Sequence, residues 1–399
     1  MRGEWHGHDM LEYHGVSLNW MPRYSCITYT TIVYRFVDLS TGLGQFAEKN
    51  RQASSKAMRK SMTAMAAFVV FTACDGNPFD TTTTTTTSVP VNTSTLSLPP
   101  GTTDPSAGVS IYRYEELDAS GSGYAESISY DSVNDRFYVD NPAFDGDNFY
   151  ERDDLAPNLG PYRVYENDSF LNDPSTGTPI NQFQHKAIYG VSTSGKTEFA
   201  IVRTGQYVDY GFGGFLYQRN TGVSLPTTGQ AVYSGEYAGI RDFLSRGGLE
   251  YVVGDATLAI DFEDFNDGSG VRGQIANRRV FDINGVNITQ NIIDAINNTG
   301  VDPADPASVG TYANITELPT LLFTVGPGVA DANGEMTGTL NSQLAQNTGA
   351  AVTFEGGTYY AMVAGDDAEE IVGIVVVTST DPRYTGVTTR ETGGFVVYR

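Results

Sequence analysis

Gly229-Gln230-Ala231-Val232-Tyr233-Ser234-Gly235-Glu236-Tyr237-Ala238-Gly239 is a short segment that alternates polar and apolar residues and is closed by glycines. A period near two sends successive side chains to opposite faces of a strand. The theme recurs outward from here, at Ala256 to Phe262, Val271 to Ile283, Thr320 to Val325, Ala368 to Val377 and Gly394 to Tyr398. Upstream, Ser127 to Tyr130 and Arg136 to Val139 alternate around Asn134-Asp135. Asn284-Gly285 and Asn333-Gly334 are hairpin signals and predict type I′ turns, which need positive φ at both central residues. Asn291 to Asn297 is the one short helix candidate. An all-β chain with many hairpins follows, and a closed barrel is the economical way to remove exposed sheet edges.

Composition agrees. The 399 residues include 44 Gly, 24 Tyr and 20 Phe, a mixture that favours strands and turns over long helices. There are 47 acidic residues against 24 basic ones, a formal net charge of −23. Five of the acids (Glu4, Asp9, Glu12, Asp38, Glu48) precede Cys74, so the region after it is the more acidic part. Phosphate backbones select clustered Lys and Arg, so nucleic acid is excluded as a partner. Both tryptophans, Trp5 and Trp20, and three of the four histidines, His6, His8 and His14, lie in the first 20 residues.

Met58-Arg59-Lys60 is a short basic start, followed by the apolar run Thr63 to Thr72 and then Phe71-Thr72-Ala73-Cys74. Basic start, short apolar run and small residue before the cut describe a secretory signal. The run is too short to span a bilayer, which takes about 20 residues. The end of this signal resembles a lipobox, with Phe71 where Leu is usual. It implies cleavage before Cys74 and acylation of its thiol with palmitate-like chains. Several chains on one Cys matter, because each buried CH₂ contributes about 0.8 kcal/mol and a single chain anchors only marginally. Residues 1–57 are then expected to be a mis-called upstream extension, with a genuine N-terminal extension as the alternative. Residues 58–73 are the signal peptide. With Cys74 carrying lipid, no second Cys is left for a disulfide.

Residues 74–108, with Thr81 to Thr87 at their centre, are Ser/Thr/Pro-rich and read as a disordered tether. About 34 residues reach roughly 30–35 Å as a coil. Beyond it, residues 109–224 are expected to form a smaller β-rich domain and residues 225–399 a barrel.

Residues 225–399 resemble the β-barrel domain of transferrin-binding protein B-like surface lipoproteins. The resemblance is carried by Gly229 to Gly239, Gly254 to Phe262, Val271 to Arg278, Gly357 to Tyr360, Glu369 to Ile374 and Gly393-Gly394-Phe395. It implies an eight-stranded antiparallel barrel, a preceding handle-like domain that residues 109–224 would supply, and export by a dedicated translocator. The implied place is the cell envelope, lipid-anchored at the outer membrane and facing the exterior. Asp75 is a departure: in enteric bacteria an Asp after the acylated Cys favours inner-membrane retention, so inner and outer membrane both stay open. The implied role is binding an extracellular protein or small ligand, in nutrient or iron uptake. It does not extend to transferrin, since no residue here maps onto a transferrin-contacting surface.

Other motifs compete with that reading. Gly190-Val191-Ser192-Thr193-Ser194-Gly195-Lys196-Thr197 fits the phosphate-cradling G-x-x-x-x-G-K-[ST]. That loop needs a helix after it, whereas Glu198 to Arg203 is short and β-leaning. The segment reads better as a hairpin of Ala187–Gly190 against Phe199–Val202, leaving a nucleotide-binding protein as the weaker alternative. Asp261, Asp264, Asn266 and Asp267, or Asp366, Asp367, Glu369 and Glu370, offer oxygen ligands without the spacing of a Ca²⁺ loop, and no metal or other cofactor is expected. His185 is the sole imidazole after Met58, so no catalytic triad has its base and no catalytic residue is assigned. A carboxylate pair for glycoside hydrolysis needs no motif, and nothing points to one. The expectation is therefore a lipid-anchored binding protein rather than an enzyme. A structural envelope lipoprotein with no specific ligand is the alternative. Cys74 is the assigned lipid-attachment residue, the ligand-binding residues are unknown, and Asp140 to Asp154 and Asn298 to Gly310 are long acidic loops of the kind that recognise partners.

Overall fold

The computed structural model describes residues 96–399 apart from residues 126, 141–148, 168–173, 178–184, 206–208, 264–269, 302–303, 306–308 and 325–329. Cys74, the signal and most of the tether lie outside the described residues, as does the upstream stretch 1–57.

The first part of the fold is an antiparallel sheet. Its strands are β1 (Ile111–Tyr114), β4 (Glu151–Arg152), β5 (Asn158–Leu159), β6 (Tyr162–Asn167), β7 (His185–Val191), β8 (Thr197–Thr204) and β9 (Gly213–Arg219). They run in the order β1-β9-β8-β7-β6-β4, with β5 also paired to β6. A separate hairpin, β2 (Ser127–Asp131) with β3 (Arg136–Asp140), lies beside them. The second part is a closed antiparallel barrel of eight strands. They are β10 (Gln230–Leu244), β11 (Glu250–Asp261), β12 (Val271–Asp282), β13 (Leu321–Phe323), β14 (Glu335–Ala345), β15 (Ala351–Ala364), β16 (Glu370–Thr380) and β17 (Thr388–Tyr398). Helix α1 (Thr289–Asn297) follows β12 and sends Ile292, Ile293 and Ile296 into the barrel's apolar core. The fold is thus all-β, an eight-stranded barrel preceded by a smaller sheet.

The burial pattern of β10 shows how the two parts meet. Its first half alternates, with Ala231 and Tyr233 buried and Val232 and Ser234 exposed. From Tyr237 to Phe243 burial would alternate in an isolated barrel, yet every residue is buried and so are both faces. The reason is a second apolar layer outside the barrel: Ala238 and Ile240 pack with Ile188, Phe199 and Ile201 of the sheet. β17 lies deepest in this contact and is buried along nearly its whole length. Gly393 and Gly394 serve one face each. A Cβ at Gly393 would fall 2.2 Å from the ring of Tyr237, and one at Gly394 would fall 2.3 Å from the ring of Phe199.

Both Asn-Gly turns form, but not as type I′. Only Gly285 (φ 79°) and Gly334 (φ 77°) take positive φ; Asn284 and Asn333 do not. Each Asp at the head of the turn (Asp282, Asp331) accepts two backbone N–H groups on one carboxylate oxygen, from residues two and four further on. That side-chain cap favours the three-residue loop, a type I turn with glycine in the left-handed position, over the two-residue one. The stretch 74–108 also departs from expectation at its end. Pro99 is buried, Gly101 bridges to Arg113, and the Val223 amide donates to the Ala107 carbonyl. Residues 96–108 are therefore part of the packed body.

Candidate functional site

The inward side chains of the barrel divide into two zones. One is apolar, where Phe323 stacks on Tyr359 with ring centroids 4.3 Å apart and both join Tyr233, Leu258 and Phe395. The other is a buried charge network. Arg278 reaches Glu355 Oε1 at 3.0 Å and both oxygens of Glu391 at 3.3 Å, while the Ser342 hydroxyl donates to Glu355 and the Tyr237 hydroxyl to Glu391. Arg241 and Arg383 converge on Glu250 at 3.0 and 2.7 Å, and Arg383 also holds Asp381. Burial by itself raises the Glu355 carboxyl. The guanidinium of Arg278 and the Ser342 hydroxyl outweigh it and hold the group below the ordinary carboxylate range. Burial pushes the Tyr237 hydroxyl up, and the neighbouring Glu391 carboxylate pushes it the same way. Carboxylates this fully paired are positioned to hold strands in register rather than to exchange protons with a substrate.

A second set of buried pairs joins the sheet to the barrel. Arg113 of β1 is bidentate to Glu335 of β14 at 2.7 and 2.8 Å. Arg203 of β8 is bidentate to Glu115 and also donates to Thr392 of β17 at 3.1 Å. The Tyr162 hydroxyl donates to the Glu236 carbonyl and accepts the Val396 amide. The guanidinium of Arg219 gathers the carbonyls of Ser106, Asn333 and Val363, tying the incoming chain to both parts.

The glycine-rich motif lies in the same seam. Residues 185–204 form a hairpin with Ala187 opposite Val202 and Gly190 opposite Phe199, the register expected from the strand-like residues. β8, not a helix, follows Lys196, so no helix N-terminus faces the loop. The motif's functional groups are occupied by barrel carboxylates. Thr197 and Ser194 donate to Glu370 at 2.8 and 2.7 Å, and Lys196 pairs with Glu369. Where a phosphate would sit, the fold puts acids, which corrects the nucleotide-binding alternative.

The acidic clusters are similarly engaged. Asp261 is buried and accepts from Gln230 at 2.8 Å, Asp367 faces Arg399, and Glu369 and Glu370 hold the glycine-rich hairpin. Asp264, Asn266 and Asp267 lie outside the described residues. His185 is buried in β7, its ring 6.2 Å from that of Tyr150 in an edge-on contact. Much of the Asp140–Asp154 loop is outside the described residues; Asp153 at its end is buried against Lys186 at 2.6 Å.

One concave feature lies on the outside of the barrel. A groove of about 370 Å³ is lined by Thr257, Ala259, Gly273, Gln274, Leu322 and Phe323, with Arg272 beside them. It exists because β13 is three residues long and pairs with β12 only at Gln274 and Ile275, leaving the wall thin where Gly273 has no side chain. Sequence reasoning did not find it. The only signal was the shortness of the Thr320–Val325 segment.

No protein-family model matches the sequence, and no curated protein does. Solved structures do. A transferrin binding protein B variant from Haemophilus parasuis Hp5 is 13% identical over 68% of this chain and 44% of its own, with a TM-score of 0.31. The intact Ap-TbpB structure, with N and C lobes, is 12% identical over 61% of this chain and 39% of its own, with a TM-score of 0.29. A surface lipoprotein is 10% identical over 73% of this chain and 100% of its own, with a TM-score of 0.27. The chain spans less than half the length of the two transferrin binding protein B structures.

Proposed function

We propose that this chain is a lipoprotein of a bacterial cell surface, anchored through an acylated Cys74, whose β body binds an extracellular partner, either a protein or a small ligand. The reading starts from the Met58–Cys74 signal and the Thr/Ser/Pro-rich stretch after it. The observation that carries it is the joint at residues 96–108. An anchored body must take the pull of its tether at a fixed point, and here the incoming chain is built into the seam. The Tyr114 amide donates to the Pro100 carbonyl, Val223 to Ala107, and Arg219 to Ser106. Residues 75–95 are then left as the tether, reaching about 70 Å when extended. Sheet and barrel, joined by Arg113–Glu335 and Arg203–Thr392, would be presented together as one rigid lobe. Iron or nutrient uptake is the process this arrangement suits best, since such a lobe stands clear of the bilayer to meet soluble partners.

Surface proteolysis of intact cells tests the display. Added protease is expected to cut between residues 75 and 95 and release the body whole. Complete protection until the cells are lysed would contradict it.

A further inference from the structure

Sheet and barrel do not close fully on each other. At the edge of their seam a cleft of about 210 Å³ remains, with walls from three parts of the chain. The barrel contributes Tyr360 of β15 and Val376 of β16, the sheet contributes Phe215 of β9, and the incoming chain contributes Leu98 and Pro99. Phe215 and Tyr360 stack with ring centroids 5.9 Å apart. The third wall is held in place by Arg113, which donates to the Pro99 carbonyl at 3.3 Å. The volume equals that of about seven waters in the liquid. It suits a group of side-chain size rather than a drug-sized molecule.

The charged part of the lining is acidic. Glu115, Glu116 and Asp118 reach the cleft, and no Lys or Arg lines it. Three guanidiniums hydrogen-bond its wall residues: Arg113 at Pro99, Arg203 at Glu115 and Arg390 at Ser122. Each is already paired with a carboxylate, Glu335, Glu115 and Asp242 respectively. Glu116 and Asp118 are left over. Glu116 is exposed and makes no hydrogen bond or ion pair among the described residues. Asp118 accepts the Ser120 hydroxyl and the Ser120 and Ser122 amides on Oδ1 alone, which leaves Oδ2 open. Partial burial raises the Asp118 carboxyl, but those donors outweigh it and hold the group below the usual carboxylate range, so it is charged at neutral pH. Residues 75–95 contain no Lys, Arg or His, so the tether has no cation to place there.

We infer that this cleft binds an aliphatic guanidinium or ammonium group, with its hydrocarbon arm against Leu98, Pro99 and Val376 and its charge at Glu116 and Asp118. The inference rests on the proposed binding role and names the site and the chemistry of the ligand. Such a group is apolar along its stem and charged at its head, which matches a cleft with an apolar floor and an acidic rim. The aromatic pair adds to the match, because ring faces attract cations within about 6 Å. A guanidinium also presents a planar fork of donors, suited to an open carboxylate such as that of Glu116. The chemistry is the same whether the cation is a free small molecule or a basic side chain of a partner polypeptide.

The test is calorimetry on the full-length purified chain with butylguanidinium, its neutral isostere butylurea, and the capped tripeptide acetyl-Gly-Arg-Gly-amide. Butylguanidinium is expected to bind saturably, and butylurea at least about fivefold more weakly. Glu116→Gln should weaken butylguanidinium about fivefold, and Glu116→Gln/Asp118→Asn about tenfold or more. Thr358→Trp, which fills the cleft from β15, should abolish binding. Glu317→Gln, which removes an exposed carboxylate elsewhere, should leave it unchanged, and circular dichroism should show every variant folded. Tripeptide binding at least as tight as that of butylguanidinium would assign the cleft to a basic side chain of a polypeptide. Butylguanidinium binding without tripeptide binding would assign it to a free small cation. Absence of saturable butylguanidinium binding would overturn the inference. Equal binding of butylurea, or undiminished binding in the double variant, would overturn it as well. None of these outcomes depends on acylation of Cys74, so failure of the cleft and failure of the anchored-lobe reading are told apart.

Discussion

The hydroxyl of Thr197 donates to Oε1 of Glu370 at 2.8 Å, a bond from the glycine-rich hairpin of the sheet to the rim of the barrel. Both residues are buried. This one contact turns a motif that fits a phosphate loop into a clasp between two halves of a β body. Thr197→Val removes the donor and leaves the Glu370 carboxylate short of a partner, an expected loss of about 1–3 kcal/mol. Urea unfolding measures it. Neither the native chain nor Lys196→Ala is expected to bind ATP in calorimetry; nucleotide binding lost on that substitution would restore the phosphate-loop reading.

Arg278 is the cation on which the lumen network depends. Replacing it with Ala strands Glu355 and Glu391 in the barrel interior, with an expected cost of about 3–5 kcal/mol. Glu355→Gln with Arg278→Met together should cost less than Arg278→Ala alone, because no unpaired charge is left behind. Equal losses from the two would show that packing, not charge, accounts for the effect.

The same network, together with the buried Lys186–Asp153 pair of the sheet, sets an acid limit on stability. The Glu355 carboxyl lies below its ordinary value of 4.5, and Asp153 and Asp381 below 3.8. Groups depressed in the folded state contribute stability that is present above the unfolded value and lost as pH falls through the folded one. The melting temperature should thus hold from neutrality to about pH 5 and fall steeply below pH 4. Glu355→Gln should flatten part of that fall. Asp331, raised by burial, acts in the opposite sense and only partly offsets it.

Phe199 fills the space left by Gly394 and packs against Tyr162 at a ring distance of 4.9 Å. Phe199→Ala should cost about 3–5 kcal/mol. It should also split a single calorimetric transition into two, as sheet and barrel lose their shared apolar layer. One unbroken transition in the variant would mean that the ion pairs alone couple the two halves.

Local pattern made much of the barrel legible. Alternation located β10, β11, β12 and β16, and the Ala187–Val202 register followed from strand-forming residues on either side of a turn. Two features were hidden for physical reasons. β14, with Gly338, Asn341 and Gln343, has weak strand character and is held by its neighbours rather than by its own composition. Arg278 and Glu355, 77 residues apart, become partners only when the ring closes. The packing of residues 96–108 carries little local signal, because Leu96 and Leu98 stand among Ser and Pro and the stretch is held by distant cations, Arg113 at the Pro99 carbonyl and Arg219 at that of Ser106. Turn chemistry at Asn284 and Asn333 was read from the Asn-Gly pair alone, whereas the carboxylates of Asp282 and Asp331 select the longer loop.

Mass spectrometry of the mature N-terminus, on protein extracted from the membrane fraction, tests the anchored-lobe account most directly. The account predicts a chain that begins at Cys74 and carries the mass of a diacylglyceryl group, with or without a third acyl chain. A mature chain that retains residues 1–57, or one with an unmodified Cys74 thiol, would contradict it.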